Sequence, residues 1–141
     1  MTFFSLTVDI RATPQRVWAV LSDVEDWPEW TPSVRSVERL DGGPFAVGSR
    51  VRIRQPKLLP AVWRITSIEK GRAFTWVTAS PGLSVTARHV VEATPDGSRV
   101  TLSIRFEGLL APLVALLTHR LTNRYLGLEG AGLKRRGEER S

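Results

Sequence analysis

One imidazole on an otherwise apolar strand face is the sharpest chemical feature of the chain. Between residues 83 and 94, Leu83, Val85, Ala87, His89, Val91 and Ala93 alternate with Ser84, Thr86, Arg88 and Glu92. A period of two puts the first set on the inward face of a strand. There His89 can hydrogen-bond a ligand carbonyl or hydroxyl, or act as a general base. The competing reading is a structural histidine satisfied within the core. No carboxylate stands at a recognisable spacing from it: Glu92 falls on the outward face, and Asp23, Glu25 and Asp26 belong to a helix end and its loop. His89 is therefore a weak candidate for catalysis and a better one for binding, with Ala87 and Val91 beside it on the same wall.

The aromatic residues offer a second kind of contact. Trp63 and Trp76 fall on strands joined by a turn at Gly71, and flat aromatic walls suit planar or polycyclic ligands. Large aromatics also fill cores, and that alternative stays open. Tyr125 lies on the apolar side of the last helix, where its hydroxyl reaches either a cavity or a neighbouring strand. The stretch DVEDWPEWTPSV, residues 23–34, places Trp27 and Trp30 in a short connection. A loop aromatic of that size needs a pocket, and the expectation is a wedge at the open end of a sheet, with Trp30 at the cavity mouth. Leu58 and Leu59, held between Pro56 and Pro60, read as a rim loop at the same end. They form either a gate, or a touch-point for a membrane or donor protein, or a cap on the core.

These residues need elements to position them. Residues 4–10 read as a strand with Leu6, Val8 and Ile10 on one face. Thr13 offers an N-cap and Pro14 suits the first helical position, so a short amphipathic helix follows and ends near Asp23. Pro28 and Pro32 confine the next segment to a turn or two of helix. Residues 34–40, 49–55, 61–69, 73–79, 83–94 and 99–107 each look extended, separated by DGGP, QPKLLP, KG, SPG and PDG. Residues 110–136 return to helical spacing, with Leu110, Leu113, Val114, Leu117, Leu121, Tyr125 and Leu128 on one side. The spacing predicts one long helix, then a charged end, residues 134–141, that frays. Gly127, Gly130 and Gly132 on this helix read either as room left for a ligand or as its fraying end. The fold class is α+β: seven antiparallel strands wrapped around a long C-terminal helix, with two short helices between the first and second strands.

Composition bounds the rest. The 141 residues make one domain with a core of ordinary size, and 42% hydrophobic with 24% charged residues is the balance of a globular protein. There is no cysteine, which excludes disulfides and thiolate sites and favours a cytoplasmic protein. The N-terminus lacks the basic leader of a signal peptide. The longest apolar run, residues 109–117, is too short to span a bilayer and contains Pro112. The formal charge of +6 raises nucleic acid or an anionic membrane as a partner. Arg50, Arg52 and Arg54, however, alternate with Val51 and Ile53 as a solvated sheet face does, without interleaved aromatics, so no nucleic-acid partner is expected. G-x-S-x-G, H-E-x-x-H, P-loop and G-x-G-x-x-G motifs do not occur. Two histidines with no carboxylate cluster imply neither a metal nor a cofactor.

The strand followed by ATPQRVWAVLSDVEDWPEW, then VGSRVRIRQP, AVWRITSIEKGRAFTW, TARHVVEATPDGSRVTLSIRFEG and a helix ending LEGAGLKRR carry a resemblance. In this order the chain resembles the START-related (SRPBCC) superfamily with the helix-grip fold, in its polyketide cyclase/dehydrase-like and lipid-transport branch. The resemblance covers essentially the whole chain and contains no catalytic signature. It implies a deep cavity between sheet and helix for a hydrophobic small molecule, which the protein carries or sequesters. Some relatives cyclise or aromatise polyketides, and others act as chaperone cofactors, so an enzyme and a protein-interaction module are the alternatives. Monomer and dimer both fit.

Overall fold

The computed structural model describes residues 2–139. Seven strands form one antiparallel sheet: β1 (Phe3–Ile10), β2 (Ser36–Arg39), β3 (Arg50–Arg54), β4 (Ala61–Glu69), β5 (Ala73–Ser80), β6 (Leu83–Thr94) and β7 (Gly97–Glu107). Their order across the sheet is β1-β7-β6-β5-β4-β3-β2, so β2 to β7 form a meander and β1 closes onto its last strand. The register sets Phe4 opposite Ile104, Leu6 opposite Leu102 and Val8 opposite Val100. Alternation then turns these side chains to the concave face and Ser5, Thr7 and Asp9 to solvent. The arginines of β3 follow the same rule: Val51 and Ile53 are buried, while Arg50 and Arg54 are exposed.

Between β1 and β2, α1 (Pro14–Ser22) starts where Thr13 accepts a hydrogen bond from the Arg16 amide, and a 3-10 helix, Val24–Glu29, follows. Trp27 and Trp30 are nearly fully buried, and Trp27 donates its indole N–H to the Leu21 carbonyl. They correct the expectation of a wedge at the open end. Trp27 meets Trp76 and His89 in the interior, and Trp30 backs onto the distal half of the C-terminal helix. This segment closes the inner end of the space between sheet and helix.

The single long helix expected over residues 110–136 is two: α2 (Ala111–Leu117) and α3 (His119–Glu138). The break is at Thr118, whose hydroxyl donates to the Val114 carbonyl at 2.6 Å and competes with the backbone ladder. The expected apolar stripe divides with it. Ala111 and Ala115 are the buried residues of α2, while Leu110, Leu113 and Leu117 are exposed. Gly108 fixes where α2 begins: its φ is +110°, and a Cβ there would strike the Gly82 carbonyl in the β5–β6 turn. The amide of Leu110 donates to that same carbonyl at 2.9 Å.

The chain expected to fray is helical through Glu138. Gly137 packs over Ile10 and Val17, and Lys134 pairs with Glu138 at 2.7 Å. The end of that segment, residues 140–141, lies outside the described residues. The glycines of α3 do not leave ligand space either: Gly127 is exposed, with nothing within 4 Å of a Cβ there. A Cβ on Gly130 would lie 2.6 Å from Leu6 Cδ2, and one on Gly132 would overlap the Trp30 carbonyl. They allow close approach of the helix to β1 and to the tryptophan segment.

Candidate functional site

The sheet and α3 meet closely at one end and diverge at the other. A cavity of ≈ 670 Å³ occupies the divergence, between the β3–β4 loop on one side and α2 with the first turns of α3 on the other. Its walls are mainly apolar: Val85, Ile104 and Phe106 from the sheet, Val114, Leu121 and Leu126 from the helices. Leu58 and Leu59 line its rim. A smaller pocket of ≈ 50 Å³ lies deeper, sharing Gln55, Trp63, Ile104, Leu126 and Glu129 with the large cavity and ending at Trp27, Trp76, Ala87 and His89. A greasy tube with a polar inner end results.

His89 is 3% exposed, and its position follows from the parity of β6. Its Nδ1 is 3.3 Å from the Phe74 carbonyl oxygen, which only accepts, so Nδ1 carries the proton in that bond. The ring stacks on Phe74 with centroids 4.2 Å apart and meets Trp76 edge-on at 5.4 Å. Nε2 is thereby aimed at the helix side, where Glu129 Oε1 lies 3.5 Å away. That is within ion-pair range but long for a hydrogen bond, and Glu129 Oε1 is buried without a hydrogen-bond partner. The pair presents a nitrogen and an under-satisfied carboxylate oxygen at the blind end. With Nδ1 carrying the proton, both are acceptors, and a ligand hydroxyl or enol would donate its one proton to Glu129 Oε1 or to Nε2.

The sequence reading did not pair these residues, since they are far apart in the chain on different elements. One signal was available: Glu129 follows Tyr125 by one helical turn, so a helix that turns Tyr125 inward turns Glu129 inward as well. Trp63 lines both cavities, and its indole Nε1 is buried with no partner, a donor for a ligand oxygen. Tyr125 lines the large cavity and donates its hydroxyl to the Pro56 carbonyl, tying α3 to the rim loop. Burial raises its phenol above the ordinary range, an effect that Arg124 and Arg35 partly offset. Trp76 and Ala87 line the inner pocket. Trp30 and Val91 line neither cavity and are core residues. Among the described residues, no three His, Asp or Glu side chains converge as metal ligands would.

A seven-stranded antiparallel sheet gripping a C-terminal helix around such a space defines the helix-grip class. The family described as polyketide cyclase/dehydrase and lipid transport matches residues 1–138, and the chain belongs to it. Solved structures agree in fold. A hypothetical protein from Helicobacter pylori superposes with a TM-score of 0.81 at 15% identity, over 94% of this chain and 86% of that one. A START superfamily protein from Mycobacterium smegmatis gives 0.73 at 17% identity, over 94% and 97% of the two chains. The Zhui aromatase/cyclase from Streptomyces sp. R1128 gives 0.73 at 16% identity, over 95% and 94%. No curated protein matches the chain in sequence.

Proposed function

We propose that this protein binds one hydrophobic small molecule, lipid-like or polyketide-like, in the cavity between sheet and α3, and carries or sequesters it. The cavity of ≈ 670 Å³ carries this reading. Open pockets of several hundred Å³ with mainly apolar walls and few polar groups hold ligands of drug or lipid size. Affinity would come from apolar burial, at about 25 cal/mol per Å² before the costs of association. His89, Glu129 and the Trp63 indole would orient an oxygen-bearing end. Native mass spectrometry of protein purified from its own host, with titration calorimetry against fatty acids, phospholipids, flavonoids and aromatic polyketides, tests it. A retained mass or micromolar binding is expected. Binding no tighter than millimolar across the panel would overturn the reading.

The His89–Glu129 pair favours one second reading, a polyketide cyclase, aromatase or dehydratase. The tube would fold a flexible poly-β-ketone, and the pair would move a proton between its carbon and oxygen atoms. His89→Ala separates the two. An enzyme loses turnover while it keeps binding, and a carrier has no turnover to lose.

A further inference from the structure

The helix at the cavity mouth has its amphipathicity reversed. α2 buries Ala111 and Ala115 and shows its leucines to solvent: Leu116 and Leu117 are each 75% exposed, and Leu109, just before the helix, is 95% exposed. Across the mouth, Leu59 is 88% exposed on a loop that Lys57 holds at a φ of 68°. Of the ten large hydrophobic residues that stand exposed among the described residues, Leu58, Leu59, Val62, Leu109, Leu110, Leu113, Leu116 and Leu117 belong to these two segments. Single exposed leucines are ordinary, but a ridge of them is a contact surface. The charges around it are mainly positive. Residues 105–125 hold Arg105, Arg120 and Arg124 against one carboxylate, Glu107, and residues 55–62 hold Lys57 and no acid. Lys57, Arg120 and Arg124 are exposed, and none of them joins an ion pair among the described residues.

We propose that this face docks on an anionic lipid bilayer, with the leucines of α2 and the β3–β4 loop in the acyl boundary and Lys57, Arg120 and Arg124 at the headgroups. Apolar residues flanked by cations are what an interfacial site requires, and the basic ring selects an anionic surface over a second copy of an equally basic chain. α2 is far shorter than a span, and among the described residues no helix is long and apolar enough to cross a membrane. The docked face is also the cavity mouth, so a greasy molecule would pass between bilayer and cavity without crossing water. Docking does not depend on the cargo, and a cavity that never held a ligand would leave it intact.

Co-sedimentation with phosphatidylcholine vesicles, with and without phosphatidylserine, tests it on the full chain. Binding to the anionic vesicles alone is expected, weakening as salt rises. Each of Lys57→Gln, Arg120→Gln and Arg124→Gln should lower the partition coefficient about five-fold. Leu116→Ser and Leu59→Ser should lower it about ten-fold each, with circular dichroism unchanged because both side chains already stand in water. No binding to anionic vesicles, equal binding to neutral ones, or binding indifferent to all five substitutions would overturn the proposal. So would a dimer in vesicle-free ultracentrifugation that Leu116→Ser dissociates, since a second copy would then cover the ridge.

Discussion

Tyr125 is the single tyrosine of the chain, so its titration can be read without interference from another phenol. Burial is the main cause of its raised pKa, with Arg124 and Arg35 pulling the other way. In alkaline absorbance titration the folded protein should give a midpoint above the ordinary phenol value of about 10, returning to that value in urea. Arg124→Gln should raise the folded midpoint further. The raised pKa also sets a sign for stability. The contribution of the neutral phenol is complete below pH 10 or so and is lost as pH climbs through the folded value. A folded midpoint at or below 10 would contradict a buried hydroxyl held on the Pro56 carbonyl.

At the scale of elements, α3 is held by two different devices. At Gly132 the helix touches the Trp30 backbone, and at Gly127 a Cβ would meet nothing within 4 Å. Two like substitutions therefore have opposite outcomes in chemical denaturation. Gly132→Ala should cost about 1–3 kcal/mol through overpacking against a rigid carbonyl, whereas Gly127→Ala should stabilise by about 0.5–1 kcal/mol through helix propensity. The second device is Glu138, which accepts from the Arg11 amide at 2.8 Å and from Lys134 at 2.7 Å, joining the helix end to the end of β1. The Arg11 hydrogen bond and then Lys134 depress its carboxyl pKa. A depressed carboxylate stabilises above its unfolded value near 4.3 and stops doing so as pH falls through the folded one. Glu138→Gln should therefore cost about 0.5 kcal/mol at pH 7, the small figure reflecting solvent screening, and less at an acid pH below the folded value. Denaturation midpoints at the two pH values check this.

For the whole molecule, the cavity predicts that volume can be added where a solid core would reject it. Ile104 lines both the outer cavity and the inner pocket. Ile104→Trp should fold with a melting temperature close to the parent's and lose ligand binding at least ten-fold, whereas the parent should melt higher in the presence of a ligand by mass action. Failure of Ile104→Trp to fold would argue that the space closes in solution. Much of this architecture was legible beforehand, because alternation in β1, β3, β6 and β7 leaves one face to bury and the turn residues mark each reversal. The mouth loop and His89 were legible for the same reason. The leucines of α2 were not: helical spacing shows that a face exists, but only the position of Gly108 against the β5–β6 turn decides that the alanines pack inward. The inward turn of Glu129 follows from its spacing to Tyr125, but its pairing with His89 crosses from sheet to helix, a distance that no local pattern encodes.

Four of the five indoles stand in a row through the interior, Trp30 to Trp27 at 5.3 Å, Trp27 to Trp76 at 5.3 Å and Trp76 to Trp63 at 5.9 Å. Chromophores that near, in a chiral setting, share their excitations, so the protein should show strong near-ultraviolet ellipticity. Since the last of the row borders both hollows, a guest pressing on it would alter that signal. The fold thus supplies an optical gauge of its own occupancy, with no label attached.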